Sequence, residues 1–495
     1  MTLTELRRKL FDPVDVAGLA IFRIAFGALM CWDACRYVML GWVSTHYIQP
    51  ELNLKFVGFH WVGTLPGPLM YAVFGVMVAS SAAICIGAHY RLSCLLFFLS
   101  HTYVFLVAAE YYLNHAYLIS TVAFLLAFIP CHLALSIDAV RVEGLHRKTV
   151  PRWAYLLPIA MMTLVYVYGS IAKMNADWLA GEPVRHWIAD RAETAIAPIA
   201  ELLRSEVAVM FVSINGMLFD LFIVPMLLWK RTRMLAVGLS ICFHLTNHYL
   251  FNIGVFPWFS MAMTTLFFAP DWPRRIPFGV GDELSERIDN VASASDDEGD
   301  EPTDEPPPSR PPEKEQRRTA GLLVAVVALH ALLPLRHYLY PGDVAWNEEG
   351  HMFSWRMKLR NKRGRFSLRV VDKATGNEWT VYPDTQLTGR QYRKAATRPD
   401  LMIYYVHYLR DAYKRDMNMD VAIYADAFVS LNYRPEQRFV DPEVDLAAEE
   451  AKVIGENTWI TTFEETPLPV ELPKIERGLT PVSRRLQILL TRASM

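Results

Sequence analysis

The apolar residues of this chain fall into blocks, most of them long enough to cross a lipid bilayer. A helix needs about 20 apolar residues to span the hydrocarbon core. The first block follows a basic N-terminal segment and lacks a small-residue cleavage site, which predicts a retained span and not a signal peptide. In total the pattern predicts nine transmembrane helices, at about 17–40, 69–87, 92–109, 116–136, 153–172, 207–229, 233–252, 254–269 and 319–335.

Polar sequence interrupts this pattern twice. Residues 282–318 are rich in Asp, Glu, Pro and Ser, which predicts a disordered cytoplasmic linker. The sequence pattern of residues 336–495 predicts a small β-rich or mixed α/β soluble domain. Its alternating segments predict strands at Phe353–Leu359, Arg365–Val371, Glu378–Tyr382 and Val421–Tyr433, with a helical region at Gly389–Lys414. The predicted fold is therefore an α-helical polytopic membrane domain (1–281, completed by the last span at 319–335) followed by this soluble domain.

The basic residues between the spans predict the orientation, since Lys and Arg concentrate in cytoplasmic loops. If all nine spans are real, the basic clusters fall on one side of the membrane. They are Arg7, Arg8 and Lys9; Arg141, Arg147, Lys148 and Arg152; Lys230, Arg231 and Arg233; and Arg274, Arg275, Arg317 and Arg318. The N-terminus is then cytoplasmic and the soluble domain lies outside.

The composition agrees with a membrane protein. The chain is 53% hydrophobic, which is high for a soluble enzyme of 495 residues. The net charge of −2 gives no indication of a nucleic-acid partner. All six cysteines lie in the apolar half, so the soluble domain has no disulfide framework.

Lys173 is the first candidate for chemistry, because it ends the apolar stretch Trp153–Ala172. An ammonium at this place must extend to the interface, find a partner, or lose its proton and become a general base. Without further evidence, a simple interfacial anchor beside Asp177 is as plausible as a base. Tyr166, Ser170, Lys173 and Asp177 have the spacing of one helix face.

The predicted topology brings further polar residues to the outer face. Asn114 and His115 occupy the loop between spans three and four, and Asn247 lies near the outer end of span seven. A histidine in such a loop is more often structural than catalytic. His244 and His248 have the i, i+4 spacing of a metal pair, but no full ligand set accompanies them, so helix packing is the favoured interpretation and no metal is predicted.

Several segments together resemble the vitamin K-dependent gamma-glutamyl carboxylase and HTTM-type membrane family, over about residues 14–445. None would be specific alone, but they occur in the family's order. The segments are HYRLSCLLFFLSHTYVF (89–105), YLNHAYL (112–118), SIDA (136–139), KMNADW (173–178) with RHW (185–187), FHLTNHYLFNIGVF (243–256), FSWRMKLR (353–360) and RFVDPEVD (438–445).

The resemblance implies a coupled reaction. In the family, a lysine deprotonates vitamin K hydroquinone, dioxygen adds to the anion, and the strong base that results removes a γ-proton from a glutamate. The carbanion takes up carbon dioxide, and vitamin K epoxide is the other product. The implied requirements are therefore a reduced vitamin K (hydroquinone or menaquinol), O2, CO2, a glutamate-containing protein or peptide, and a lipid bilayer, without a metal.

The resemblance also implies roles for individual residues. Lys173 matches the family's hydroquinone base, and His115 matches the histidine that assists carboxylation. Arg185 and the segment Trp355–Arg360 resemble parts of the glutamate-binding region, and a carboxylate needs such cations. The predicted substrate-binding residues are Asn114, Asp177, Trp178, Arg185, His244, Asn247, Trp355, Met357 and Arg360.

Three departures from the animal enzymes concern the setting of the protein. Cys94 matches a cysteine that forms a disulfide in those enzymes, but Tyr408 stands at the partner's place. The acidic linker is unfamiliar, and the chain has no N-x-[ST] sequon. These features predict a bacterial relative in the inner membrane. Two alternatives stay open: a quinol-oxidising enzyme that does not touch glutamate, and a non-enzymatic membrane scaffold or transporter, although transporters usually show internal symmetry that this sequence lacks.

Overall fold

The structure, a computed structural model, describes residues 2–251, 253–275, 310–450, 452 and 455–468. In chain order its α-helices are α1 (Leu3–Leu10), α2 (Ala17–Met39), α3 (Gly67–Ile86), α4 (Tyr90–Val107), α5 (Asn114–Leu126), α6 (Ile137–Arg141), α7 (Trp153–Lys173), α8 (Ala176–Leu179), α9 (Val184–Ala192), α10 (Ala197–Leu203), α11 (Glu206–Leu228), α12 (Arg233–Phe251), α13 (Phe256–Thr264), α14 (Glu313–Leu332), α15 (Val344–Asn347), α16 (Gly389–Ala395) and α17 (Pro399–Met417). The strands are β1 (Pro13–Asp15), β2 (Thr149–Pro151), β3 (Lys362–Asp372), β4 (Glu378–Val381), β5 (Val421–Leu431) and β6 (Gln437–Arg438).

Within the described residues, seven helices are long and apolar enough to cross a membrane: α2, α3, α4, α7, α11, α12 and α14 with its 3-10 extension to Leu339. These seven match seven of the nine predicted spans, and they show a multi-pass membrane protein. The other two segments are shorter than predicted. The helix α5 has 13 residues and ends before Pro130, and α13 has 9 residues and begins after Gly254, whose φ is 63°. Proline disfavours helical conformation in the residue before it, which limits α5, and the left-handed Gly254 limits the start of α13. At its other end α13 passes into a 3-10 helix, Thr265–Phe267.

Each of the two short segments has a contact that locates one of its ends. Before α5, the Tyr112 hydroxyl accepts a hydrogen bond from Phe353 N–H in the soluble domain (2.7 Å). After α13, the Pro270 carbonyl accepts from Gly18 N–H at the start of α2 (3.0 Å). Several residues that follow these two helices, such as Ile129, Cys131 and Phe267, are buried, so the irregular backbone there is covered by protein.

Ion pairs join the basic segments at the end of the bundle away from the soluble domain. Arg274 bonds to Asp15 (2.8 Å), Arg310 bonds to Asp12 (2.7 Å), and Arg7 bonds to Glu313 (2.7 Å). Strands β1 and β2 pair antiparallel at the same place. Three of the four basic clusters thus share one face, as the loop charges predicted.

The soluble domain is an antiparallel sheet of order β4-β3-β5-β6, packed against α16 and α17. The strands predicted at Arg365–Val371, Glu378–Tyr382 and Val421–Tyr433 are confirmed within a few residues. The predicted strand Phe353–Leu359 is wrong, because Phe353, Trp355 and Lys358 all adopt positive φ and the segment coils. Such backbone is costly for non-glycine residues and persists only where the surroundings hold it.

The last membrane helix also differs from its prediction. The helix α14 begins at Glu313, so residues 313–318 are its first turns and not disordered linker. Glu313 and Glu315 lie in the first turn, where negative charge stabilises a helix. Residues 282–309 of the predicted linker lie outside the described residues.

Polar contacts attach the soluble domain firmly to the membrane helices. Arg434 makes two hydrogen bonds of 2.7 Å to Asp177, which also accepts a bond from Asn432 (2.6 Å). The Arg434 side chain is only 4% exposed, so loss of Asp177 would leave a buried charge without its partner. On the other side, Arg398 donates to the Ala109 carbonyl (2.9 Å). These contacts fix the position of the soluble domain over the helices.

Candidate active site between the membrane and soluble domains

A cavity of about 1050 Å³ lies where the soluble domain meets the membrane helices. Its membrane compartment is formed by the ends of α5 and α7 and by the facing sides of α11 and α12. Its outer compartment is formed by the coiled segment 347–362 and by residues 394–400, which end with the first two residues of α17. One cavity therefore joins an apolar environment to a strongly charged one.

An ion pair between Lys173 and Asp220 stands in the membrane compartment. Both side chains are buried, with residue exposures of 8% and 6%, and the Lys173 ammonium bonds to the Asp220 carboxylate across the α7–α11 interface. The Trp178 ring lies 5.5 Å from Lys173 Nζ. Gly169 makes the approach possible, since a Cβ there would lie 2.9 Å from Asp220 Oδ2. The sequence left three possibilities for Lys173: extension to the interface, pairing, or loss of its proton. The structure shows pairing, and the partner is Asp220 and not Asp177.

Polar and aromatic groups surround this ion pair. The Tyr166 hydroxyl lies 3.1 Å from His244 Nε2, and both residues line the cavity with Asn247. The His115 ring stacks on Phe256 at 5.6 Å, and Asn114 accepts a hydrogen bond from Tyr112 (2.9 Å). These side chains, from α5, α7 and α12, meet in space although they are up to 133 residues apart, from Asn114 to Asn247.

Aromatic side chains of α11 and α12 form one wall of the membrane compartment. The Phe219 and Phe243 rings are stacked 3.8 Å apart, and Phe222, Ile223, Met226 and Leu239 extend the apolar lining along the same helices. Phe222 is 51% exposed on α11, a helix that is long and apolar enough to cross a membrane. This wall is suited to a flat aromatic molecule from the bilayer, because aromatic rings pack favourably against each other.

The outer compartment is rich in cations. Its lining carries three carboxylates, Glu348, Glu349 and Asp400, and eight cationic side chains: Arg336, Arg356, Lys358, Arg360, Lys362, Lys394, Arg398 and Lys452. Such an excess of positive charge attracts an anionic substrate, and a carboxylate in particular.

Some of these cations are held by the protein itself. Arg360 and Lys362 both bond to Glu348, and Lys362 also donates to the Trp346 and Thr397 carbonyls. Burial alone raises the pKa of Glu348, but these two cations outweigh it and hold that pKa well below its usual range. Burial lowers the pKa of Lys362 to about 8 against the opposing effect of Glu348.

Lys394 is different, because its ammonium makes no hydrogen bond to the part of the chain that the structure describes. Burial lowers the pKa of Lys394 to about 8, and the positive charges of Arg398 and Arg390 contribute. Arg356 also lines the cavity, with a buried Nε that has no hydrogen-bond partner among the described residues. These two side chains retain donors for a ligand.

The structure brings together most of the residues that the sequence predicted for the site. Eight of them line the cavity: His115, Lys173, Asn114, Trp178, His244, Asn247, Met357 and Arg360. The lining does not include the other three, which are Asp177, Arg185 and Trp355.

The three exceptions have other contacts. Asp177 lies on α8 and not on the α7 face with Lys173, because α7 ends at Lys173 and the chain turns. Arg185 is held by Glu182 (2.8 Å) and by Glu206, so it is not an open clamp for a substrate carboxylate. Trp355 is buried and packs against the Tyr117 ring at 5.2 Å. For these residues the predicted substrate contact has no support in the geometry.

Sequence reasoning missed Asp220, Glu348 and Lys394, whereas Arg356 lies within the predicted segment Trp355–Arg360. A signal for Asp220 was present, because a carboxylate inside an otherwise apolar span is costly and marks a functional site by default. The soluble residues lie among many other charged residues, and only the folding of the coiled segment selects those that face the cavity.

Comparison with known proteins agrees with this architecture. Residues 11–272 match the HTTM domain family, and residues 315–466 match the family described as vitamin K-dependent gamma-carboxylase, lumenal domain. The class is thus a multi-pass membrane protein that joins an HTTM domain to a C-terminal domain of lumenal type, which lies outside. The chain belongs to the vitamin K-dependent gamma-carboxylase family, as its motifs predicted. No solved structure matches the chain.

Proposed function

We propose that the protein is a vitamin K-dependent gamma-glutamyl carboxylase, which couples oxidation of a membrane quinol to its epoxide with addition of CO2 to a protein glutamate. The observation that carries the proposal is the single cavity that joins a buried lysine in the membrane to a cationic compartment outside it. The quinol is consumed and is therefore a substrate. The aromatic wall of α11 and α12 suits its ring, and the lipid-facing side of these helices gives it access.

Lys173 is proposed as the residue that takes the quinol's proton. The Lys173 side chain lines the cavity at the end of α7, is only 8% exposed, and has the Trp178 ring beside its ammonium. In such a site, fixed charges interact more strongly than they do in water. Oxygenation of the deprotonated quinol then supplies the strong base that glutamate activation requires.

The carboxylation half is proposed to take place where His115 meets the outer compartment. The free donors of Lys394 and Arg356 hold the glutamyl carboxylate there, while His115 serves the proton movements at the reacting carbon. Asn114, His244, Asn247, Trp178, Met357 and Arg360 shape the site around them. The roles first assigned to Arg185, Asp177 and Trp355 become supporting ones, since these residues hold helices and domains in place.

The setting proposed for this activity is a bacterial inner membrane, with the soluble domain on the periplasmic side. The absence of sequons and the clustering of basic segments at the opposite face support this placement. The partners are then a glutamate-containing peptide or protein, a membrane quinol and the bilayer.

The test is a pair of assays on one purified sample. Wild type with vitamin K hydroquinone, O2, labelled CO2 and a glutamyl peptide should form epoxide and labelled carboxyglutamate together. The matched control replaces each glutamate of the peptide with glutamine and should incorporate no label. If epoxide forms but no glutamyl peptide takes up label, the result supports quinol oxidation alone. If neither product forms, both enzymatic hypotheses are wrong.

The lowered pKa of Lys394 predicts a pH dependence of peptide binding. Below about pH 8 the ammonium is charged and attracts a carboxylate; above it the amine is neutral and this attraction is lost. One charge-assisted contact contributes about 1.5–3 kcal/mol, so affinity for a glutamyl peptide should fall at least about tenfold as pH rises through this region. Titration of a fluorescent peptide without quinol measures the effect.

A matched pair of variants identifies the residue responsible. Lys394→Arg keeps the charge at every accessible pH, so its affinity should stay high above pH 8. Lys394→Met should bind weakly at every pH. If both variants keep the wild-type pH profile, Lys394 does not contact the peptide.

A further inference from the structure

Asp220 is the one carboxylate in the membrane compartment of the cavity, among the residues that the structure describes. It lies within α11, 14 residues after Glu206, on a helix that is otherwise strongly apolar. Its side chain is 7% exposed, and it meets Lys173 and no other cation within the described residues. A charged residue at such a place must contribute something that offsets its desolvation.

We infer that Asp220 is the proton acceptor through which Lys173 acts: Lys173 passes its own proton to the Asp220 carboxylate and takes the proton of the quinol, so that the net gain of one proton falls on Asp220 and a Lys173 ammonium stays beside the quinol oxygen. The inference rests on the proposed function and adds to it the destination of the proton. Asp220 acts through Lys173, so it is a positioning residue for the reaction.

The number of buried charges supports this arrangement. A neutral lysine without a partner would create two charges in a dry cavity by deprotonating a neutral quinol, at a high cost in desolvation. With Asp220, the starting state already contains one ion pair, ammonium and carboxylate. The final state also contains one ion pair, ammonium and quinol anion, because the carboxylate has become a neutral acid.

The contacts of Lys173 leave room for this exchange. Its ammonium carries three hydrogens. One is directed to Asp220 Oδ2, and a second approaches the Gly169 carbonyl at 3.5 Å. The structure shows no further hydrogen bond for it within the described residues, so one hydrogen remains for the quinol oxygen. Asp220 and Lys173 both line the cavity, which lets a ligand reach the pair.

The step balances in protons and charge. The Lys173 ammonium passes one proton to the Asp220 carboxylate, which leaves a neutral amine and a neutral acid. The amine then takes the proton of the quinol hydroxyl as the O–H bond breaks, and the electron pair of that bond stays on the oxygen. The products are ammonium, carboxylic acid and quinol anion, and the total charge is zero before and after.

The experiment compares carboxylate variants of the full chain, with vitamin K hydroquinone as the probe. Asp220→Asn keeps the shape of the side chain but removes the acceptor, so epoxide formation should fall at least about 100-fold. Asp220→Glu keeps a carboxylate and should retain more activity than Asp220→Asn. Asp220→Ala opens space beside Lys173, and added formate should restore its activity by at least about tenfold in a saturable manner.

Two controls separate proton transfer from damage to the fold. Formate should not restore Lys173→Ala, which lacks the amine. Asp138→Asn changes an equally buried carboxylate that accepts hydrogen bonds from His89 and Tyr90 N–H (both 2.8 Å) outside the cavity. It should lower thermal stability without changing the epoxide rate per folded molecule.

The outcomes distinguish the inference from the function on which it rests. Wild type that forms no epoxide overturns the proposed function. Active wild type with an equally active Asp220→Asn variant overturns the inference alone. An inactive Asp220→Ala variant that formate leaves inactive also counts against it, because a purely structural carboxylate would behave in this way.

Discussion

Lys173→Arg is expected to abolish quinol oxidation while the protein stays folded. Arginine keeps the positive charge and the ion pair with Asp220, but a guanidinium does not give up its proton at accessible pH. A positioned acid–base group contributes about 100- to 10,000-fold to a rate, and the epoxide rate should fall by that order. The measurement is epoxide formation from vitamin K hydroquinone by purified variants, with thermal unfolding to confirm the fold.

Another buried lysine, Lys55, provides a control for the greater volume of arginine. Lys55 is 6% exposed, and its ammonium donates to the Val107 carbonyl (2.7 Å) outside the cavity lining. Lys55→Arg introduces the same extra volume, so it should lose stability but keep its epoxide rate per folded molecule. If Lys173→Arg oxidises quinol as well as wild type does, Lys173 is a structural partner of Asp220 and not a base.

His115→Ala is expected to separate the two halves of the reaction. His115 lines the cavity beside Phe256, but it does not belong to the Lys173–Asp220 ion pair, which is proposed to handle the quinol's proton. Epoxide formation should therefore continue, while carboxyglutamate formation falls by about 100-fold or more. The ratio of labelled carboxyglutamate to epoxide, measured in one sample, reports this separation directly.

His132 offers a matched histidine at another place in the fold. It is 7% exposed, and its ring stacks on Tyr90 at 4.8 Å outside the cavity lining. His132→Ala should lower stability and leave the product ratio at the wild-type value. A parallel loss of both products in His115→Ala would instead show that His115 supports the quinol site.

The site proposed here also explains why the protein is built in two parts. In the proposed reaction, a quinol would reach Lys173 through apolar helices, whereas a glutamyl side chain would reach the cavity through the cationic outer compartment. The contacts of Asp177 with Arg434 and of Arg398 with Ala109 hold the two parts together around the cavity. The two substrates therefore meet at a boundary that neither domain forms alone.

Much of the architecture followed from local sequence pattern. Membrane helices depend on runs of apolar residues and strands on alternation, and both signals are contained in short windows. For this reason the seven long helices and the strands β3, β4 and β5 were predictable. The same signals failed at Phe353–Leu359, where positive φ values replace a strand, and at the two ends of α14. The conformation of these segments depends on contacts with distant parts of the chain, which local residue types do not reveal.

The sequence by itself determined that this is a membrane protein of the vitamin K-dependent gamma-carboxylase family and that Lys173 ends an apolar span. Only the tertiary structure decided which groups face Lys173 and which face the substrate. The pairing of Lys173 with Asp220, 47 residues later, depends on the register of α7 against α11 and on the space left by Gly169. The placement of Arg185 outside the cavity and of Lys394 inside it depends likewise on packing between distant segments. Hydrophobic periodicity fixes which face of a helix is buried, but it does not specify which residue of another helix that face will meet.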